Sequence, residues 1–236
     1  MGSSSDSDLT KPEPGASDAA HSAVKAGLSA IPFVGGPAAE LFSAIITPPL
    51  SKRRDEWIES IVERLQKLEE KIDGFDIKKL SGNEMFITTV MHASQAAIRN
   101  HQQEKLEALR NAVLNAALPN APEEDLQLMF LDFVDRLTSW HIRILKFCDD
   151  PRGWGEAHGI TYPNWQMGGV STVLEHAFPE LTGRRDFYDL IVKDLFATGL
   201  LNTESLHGTM TEQGMFASRT TAIGKQFLHF ITDPTP

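Results

Sequence analysis

The sequence predicts a mainly α-helical protein, in which a helical body is followed by a C-terminal winged-helix-like α+β module. Three observations predict this fold. Apolar residues recur every three or four positions over residues 51–150, which is the period of an amphipathic helix. Glycine and tryptophan are concentrated over residues 151–183, which predicts an irregular connection with one short helix near 169–177. Residues 184–236 then have the pattern of a helix, a strand, a polar excursion, a second strand and a helix.

The composition is that of a globular protein with a sizeable core. The chain has 236 residues, of which 41% are hydrophobic and 23% are charged. Such a chain can fold without disulfides or metals. Its one cysteine, Cys148, follows an apolar run, so we expect a small core residue in a reducing compartment. The first residues are acidic where an export signal needs positive charge, which predicts a cytoplasmic protein.

Two segments precede the body. Residues 1–20 are rich in Ser, Asp, Pro and Gly and predict a disordered tail. Residues 21–50 are almost uncharged, and Pro and Gly interrupt them near the middle. This pattern predicts a hairpin of two short helices, at about 23–31 and 37–47.

Two interpretations of this apolar hairpin stay open. Its small residues favour close packing on the body, whereas an amphipathic or re-entrant element would contact a bilayer or a partner. A membrane span needs about 20 uninterrupted apolar residues, which this segment does not offer. The residues that would make a membrane or partner contact are Leu28, Ile31, Phe33, Val34, Leu41, Phe42, Ile45 and Ile46.

The body begins with the strongest helical pattern, over residues 51–73, with Ser51 as its N-cap after Pro48 and Pro49. Its predicted inward stripe comprises Ile58, Ile61, Val62, Leu65, Leu68 and Ile72. Further helices are predicted over residues 84–99, 102–118, 123–137 and about 139–147. The helix over 84–99 has one apolar face, made of Phe86, Ile87, Val90, Met91 and Ile98.

Residues 184–236 predict the winged-helix-like module. A helix that begins near Asp186 ends at Gly199, a residue that readily adopts the left-handed conformation of a helix stop. Extended segments are predicted at 200–201 and 215–219, on either side of a polar excursion. Thr220 or Thr221 then caps the last helix.

The charge of this module argues against nucleic acid as a partner. The module holds five basic residues against six acidic ones: Arg184, Arg185, Lys193, Arg219 and Lys225 against Asp186, Asp189, Asp194, Glu204, Glu212 and Asp233. The whole chain has a net charge of −10, which repels phosphate. If the module did contact nucleic acid, Arg184, Arg185, Lys193 and Arg219 would be the contact residues. A DNA-binding transcriptional regulator is therefore the alternative, and a protein-contacting or structural winged helix is favoured.

The sequence carries no catalytic, cofactor or metal signature. It lacks a P-loop, a nucleophile elbow, a cysteine pair and an H-E-x-x-H motif. Glu156, His158, Glu175 and His176 have spacings that match no known metal site. We therefore expect neither enzyme activity nor a cofactor.

Three segments, in this order, resemble one bacterial family. They are the helix-forming stretch from Pro48 to Ile72, the block F-V-D-R-L-T-S-W-H-I-R-I-L over residues 133–145, and the terminal G-L-L … T-A-I-G-K-Q-F block. Together they are similar to the bacterial Abi-alpha proteins over about residues 45–235. The resemblance implies a bacterial source and a role in abortive infection, a form of antiviral defence. It implies no catalytic residue.

The sequence as a whole favours a non-enzymatic interaction or effector protein. We expect its partner to be another protein or a second copy of the chain. Membrane contact through residues 23–49 is a further option, which would place the protein at the periphery of the inner membrane.

Overall fold

The computed structural model describes the backbone of residues 37–235 and the side chains of residues 52–235. In this part of the chain, ten α-helices and two short 3-10 helices accompany a single two-stranded antiparallel sheet. The α-helices are α1 (Pro37–Lys71), α2 (Glu84–Arg99), α3 (Gln103–Ala116), α4 (Glu124–Arg136), α5 (Ser139–Asp149), α6 (Pro151–Ala157), α7 (Val170–Ala177), α8 (Arg185–Ala197), α9 (Glu212–Met215) and α10 (Ala222–Phe230). The strands are β1 (Met167–Gly168) and β2 (Met210–Thr211), and the 3-10 helices are Ile77–Gly82 and Pro179–Leu181. The predicted mainly α character is confirmed.

The first helix differs from the prediction. α1 runs without a break through Pro48 and Pro49, so the expected helix start at Ser51 is wrong. A proline has a helical φ, so a helix can continue past it, although the missing N–H and the clash of the ring with the carbonyl of residue i−4 weaken the helix. The predicted tail over 1–20 and the predicted helix over 23–31 lie outside the described residues.

Residues Arg53–Pro236 form one compact unit, whereas Met1–Lys52 belong to another. Helices α2, α3, α4 and α5 begin and end within a few residues of the predicted bounds. Local capping explains part of this agreement. The Asn83 side chain accepts a 3.0 Å hydrogen bond from the Phe86 N–H at the start of α2.

Aromatic residues of α4 and α10 form the centre of the core. The Phe130 ring lies 5.5 Å from that of Phe227 and 5.8 Å from that of Phe230, between ring centroids. Phe133 meets Phe227 edge to face at 5.7 Å. The last helix is therefore joined to the body by a continuous aromatic cluster.

Residues 151–183 contain more regular structure than the sequence indicated. They include α6, β1, α7 and the second 3-10 helix. The Tyr162 hydroxyl donates a 2.9 Å hydrogen bond to the Pro151 carbonyl, and its ring lies so close to Gly155 that a Cβ there would stand 2.4 Å from it. The glycine at 155 is thus a packing requirement rather than a loop signal.

The C-terminal module keeps the predicted order only in part. α8 ends as expected at Gly199, whose φ is +74°, and α10 begins after the Thr221 cap. Leu201 and Thr220 form a single antiparallel bridge. However, the predicted strand over 215–219 is wrong, because residues 212–215 are helical and β2 pairs with β1 outside the module. The Thr211 hydroxyl, which accepts a hydrogen bond from the Gly214 N–H at 3.4 Å, starts this short helix.

Candidate functional site

The eight residues predicted to contact a membrane or partner cannot be placed as a surface. Leu28, Ile31, Phe33 and Val34 lie outside the described residues. Leu41, Phe42, Ile45 and Ile46 lie in α1, but their side chains lie outside the described part as well. This prediction stays a prediction.

A different apolar surface lies at the boundary of α1 and α2. α1 buries Trp57, Ile61, Leu65 and Leu68 against the body, whereas Ile58 is 49% exposed and Val62 is 46% exposed. On α2, Ile87 is 37% exposed and Met91 is 60% exposed. Four residues predicted to face inward therefore face solvent. We call Ile58, Val62, Ile87 and Met91 the aliphatic face.

Hydrogen bonds to neighbouring helices fix the orientation of the α1 part. Ser60 accepts a hydrogen bond from Arg110 of α3, and Arg64 donates to Glu107 of α3. Ile58 and Val62 each stand two residues before Ser60 and Arg64, which is about 200° of helical rotation. They therefore lie on the flank of α1 that points away from α3.

A contact with α4 orients the α2 part in the same way. The Thr89 hydroxyl hydrogen-bonds at 3.4 Å to the amide oxygen of Gln127 in α4. Ile87 and Met91 each stand two residues from Thr89, again about 200° of rotation, so they lie on the flank that points away from α4. Ser94, one turn after Met91, receives the Trp57 indole N–H of α1. Trp57 therefore marks the flank of α1 that meets α2, and Ile58, the next residue, lies about 100° of rotation from it on the exposed side.

The rim of the aliphatic face is acidic. Asp55 stands one turn before Ile58, Glu59 one turn before Val62, and Glu84 one turn before Ile87, and all three are exposed. Two arginines lie near them: Arg54 is bonded to Asp55 at 3.3 Å, and Arg53 donates a 3.4 Å hydrogen bond to the Ile98 carbonyl of α2. An apolar centre with a carboxylate rim is therefore presented to solvent.

A second candidate site is a cleft of about 600 Å³ between α3, α5 and α6. We call it the Lys146 cleft. Ala108, Ile142 and Ile231 contribute apolar surface to it. Its other lining residues are Glu104 and Glu107 of α3, Arg143 and Lys146 of α5, and the aromatic pair Trp154 and His158. It is the largest of the cavities described for this part of the chain.

The charged groups of the Lys146 cleft differ in their partners. Glu107 accepts two hydrogen bonds from Arg64, at 2.7 and 2.9 Å, and a third from Arg110 at 3.2 Å. Arg143 donates to Glu180 at 3.0 Å. Lys146 is exposed and makes no hydrogen bond or ion pair with any residue of the described part. The neighbouring protein atoms partly desolvate its amine and lower its pKa, although Glu107 and Glu104 oppose the shift.

The four candidate nucleic-acid contacts do not form a free basic surface. The Arg219 guanidinium donates a 2.7 Å hydrogen bond to the Gly214 carbonyl and is half-buried. Arg185 is bonded to Asp189 at 3.4 Å. Arg184 stacks over the Phe187 ring, 4.2 Å from its centroid. Of the four, only Lys193 is exposed without a described contact.

His141 joins α5 to α8. Its Nδ1 accepts a hydrogen bond from the Thr138 N–H at 3.3 Å and lies 2.8 Å from the Thr138 hydroxyl. Because Nδ1 is the acceptor, Nε2 carries the proton and donates a hydrogen bond to Asp194 at 3.4 Å. These contacts cap α5 and connect it to α8. Sequence reasoning missed this link because Asp194 is distant in the chain.

The residues weighed as metal ligands have separate contacts. His158 donates from Nδ1 to the Trp154 carbonyl, and His176 lies 3.0 Å from the Thr161 carbonyl. Glu175 accepts from the Tyr188 hydroxyl at 2.7 Å. Over the part of the chain that the structure describes, no three His, Cys, Asp or Glu side chains are grouped as a metal site would require.

No protein-family model, curated protein or solved structure shows significant similarity to this chain. Within residues 37–235, no helix combines the length and apolar character needed to cross a membrane.

Proposed function

We propose that this chain is a non-enzymatic interaction protein whose aliphatic face receives a basic amphipathic helix of a partner protein. The observation that carries the proposal is the exposure of two large aliphatic pairs on α1 and α2, the helices that the Trp57–Ser94 hydrogen bond joins. Contiguous exposed apolar surface with a polar rim is typical of protein interaction sites.

The form of the face supports a helix as the occupant. Ile58 and Val62 are one turn apart on α1, as are Ile87 and Met91 on α2, and the Trp57–Ser94 hydrogen bond joins the two helices. An amphipathic helix with anchor residues spaced three or four positions apart would match such pairs.

The charge supports a basic partner. Asp55, Glu59 and Glu84 border the face, and the chain has a net charge of −10. A second copy would itself carry a net charge of −10 and would repeat the same carboxylates at the interface. Lysine or arginine on the partner helix would complement them.

Synthetic peptides test this proposal. A helix with Leu on one face and Lys on the other should bind the full chain, measured by fluorescence anisotropy, and its Leu/Glu counterpart should not. The double variant Ile58→Glu with Val62→Glu should weaken binding by about tenfold or more, since two anchors are lost. The control is Leu190→Glu with Phe196→Glu on α8, which adds the same charge at other exposed apolar positions.

Two results would overturn the proposal. Equal weakening by the α1 and α8 double variants would show that only net charge attracts the peptide. A dimer in sedimentation velocity that dissociates on Ile58→Glu with Val62→Glu would assign the face to a second copy.

The similarity to Abi-alpha proteins extends the proposal to an effector role in bacterial antiviral defence. A bacterial host that expresses the chain should then show reduced phage plating or growth arrest on infection. The same host with the Ile58→Glu, Val62→Glu variant should regain normal plating. Unchanged plating with the wild-type chain would remove the defence role and leave the interaction proposal standing.

Membrane contact is a second form of the proposal. It rests on the nearly uncharged residues 23–49 and would place a cytoplasmic protein at the periphery of the inner membrane. Co-sedimentation with liposomes, for the full chain and for a chain without residues 1–50, tests it. Equal and negligible binding by both would exclude it.

A winged-helix regulator is the alternative function. The order of α8, the Leu201–Thr220 bridge and α10 favours a winged-helix-like layout. DNA binding is disfavoured because Arg219 donates to the Gly214 carbonyl and Arg185 is paired with Asp189. The alternative requires salt-sensitive binding to duplex DNA that weakens on Arg184→Ala and Arg185→Ala, and the absence of a mobility shift at low salt would exclude it.

A further inference from the structure

We propose that the Lys146 cleft binds a small ligand that combines a planar aromatic ring with an anionic group. The cleft volume of about 600 Å³ lies within the range of small-molecule sites, roughly 300–1,000 Å³. Ala108, Ile142, Trp154 and Ile231 give it apolar surface, and the other five lining residues are charged or histidine. This inference does not depend on the aliphatic face.

Aromatic side chains at the cleft favour a ligand with a planar ring. Trp154 lies 5.1 Å from Phe178 on one side, and His158 stacks on it at 3.9 Å with an interplanar angle of 18°. The bond from His158 Nδ1 to the Trp154 carbonyl, 2.8 Å long, holds the imidazole in this orientation. His158 is exposed, so the stack has no described ring beyond it, and a planar ligand would extend it.

Lys146 and Arg143 are the lining cations that an anionic group would meet. Lys146 is exposed, and its amine has no hydrogen bond or ion pair in the described part of the chain. A ligand anion would supply the missing hydrogen-bond acceptor and the counter-charge. Arg143 stands one turn earlier on the same helix and also lines the cleft.

The charges that line the cleft are balanced although the chain is acidic. The carboxylate of Glu107 is already satisfied by Arg64 and Arg110. The lining cations are Arg143 and Lys146, and the lining carboxylates are Glu104 and Glu107. In a chain of net charge −10, a balanced cleft repels an anion less than the average surface does.

Both an aromatic carboxylate and a nucleotide have this chemistry. Two matched pairs of probes distinguish them: 2-naphthoate with 2-naphthylmethanol, and AMP with adenosine. Each pair keeps the ring and removes the charge. Isothermal titration calorimetry on the full chain measures all four.

In at least one pair, we expect the anion to bind about tenfold more tightly than its neutral mate, as a charge-assisted hydrogen bond supplies. Lys146→Met should abolish that advantage and leave the affinity of the neutral mate unchanged. His158→Ala should weaken both members of the pair. The exposed Lys193→Met serves as the control and should change neither.

The probe pair in which the anion binds more tightly shows whether the ligand is an aromatic carboxylate or a nucleotide. The proposal is overturned if none of the four probes binds at millimolar concentration. Equal affinity of anion and neutral mate in both pairs would also overturn it, as would equal effects of Lys146→Met and Lys193→Met. The variant Ile58→Glu with Val62→Glu should bind the probes normally, so failure here and failure of the helix-docking proposal are distinguishable.

Discussion

The Trp57 indole N–H donates a 2.9 Å hydrogen bond to the Ser94 hydroxyl, and this bond fixes which flank of α1 meets α2. Trp57 is only 3% exposed, so its N–H needs a partner inside the protein. Because the Ser94 hydroxyl is the acceptor, Trp57 and Ile61 face the core. Ile58 and Val62 then face solvent, and the aliphatic face exists as a consequence.

Replacement of Trp57 by Phe should remove this hydrogen bond and destabilise the fold by about 1 kcal/mol, with a further loss from the smaller ring. Ser94→Ala should cost a similar amount. The double variant should be less unstable than the sum of the two, because both changes remove the same bond. Urea unfolding of the four proteins measures the coupling, and strict additivity would show that the bond contributes nothing.

Gly224 should tolerate no side chain. A Cβ there would stand 2.3 Å from the Leu200 carbonyl oxygen, a backbone atom that cannot move aside without disturbing the Leu201–Thr220 bridge. Gly224→Ala should therefore destabilise the protein by about 1–3 kcal/mol. Gly208→Ala is the matched control, since its nearest neighbour would be a flexible Met210 methyl at 3.8 Å. Equal thermal midpoints of the two variants would contradict the packing described for α10.

His141 should make stability depend on pH. Burial lowers its pKa from the usual value near 6.5, although the hydrogen bond to Asp194 opposes the shift. Because the unfolded chain then binds the proton more readily, the contribution of neutral His141 to stability is complete above about pH 6.5 and is lost as the pH falls through the folded-state pKa. His141→Gln should show a smaller loss of unfolding free energy between pH 8 and pH 5.

The exposed His101→Gln variant is the control for that experiment and should keep the wild-type pH dependence. A parallel pH dependence in wild type and His141→Gln would show that other groups cause it. The urea midpoint at each pH is sufficient to decide.

Cys148 should be inert in the native state. It is completely buried, and burial raises the pKa of its thiol to about 12. Since the thiolate is the reactive form, a disulfide reagent should modify it only through opening of the structure. The prediction is negligible labelling in buffer and one equivalent in denaturant. Rapid labelling of the native protein would contradict the burial.

Helix positions could be predicted from the sequence where local signals coincide. Asn83 caps α2, Gly199 stops α8 and Thr221 caps α10, and each residue acts through neighbours within four positions. The proline pair at 48–49 gave a false break, because a proline weakens a helix without excluding it.

The sites were harder to predict because they depend on long-range contacts. The buried face of α1 is turned from the predicted one by less than one residue: Ile61, Leu65 and Leu68 are buried as predicted, but Trp57 is buried in place of Ile58 and Val62. Spacing by three and four residues fits both faces. The Trp57 N–H was the usable signal, since a buried indole requires an acceptor. No local pattern connects Lys146 with Glu107 or His158, which the packing of α3, α5 and α6 brings to one cleft.

Docking of a basic amphipathic helix on the aliphatic face can be measured directly. The most direct measurement places a polarity-sensitive fluorophore on Met91→Cys, where the buried Cys148 does not compete for the label. Addition of the Leu/Lys helix should shift its emission to shorter wavelength, because the dye becomes covered, while the same dye on Leu190→Cys should not respond. An unchanged spectrum at position 91, or equal shifts at both positions, would contradict the claim.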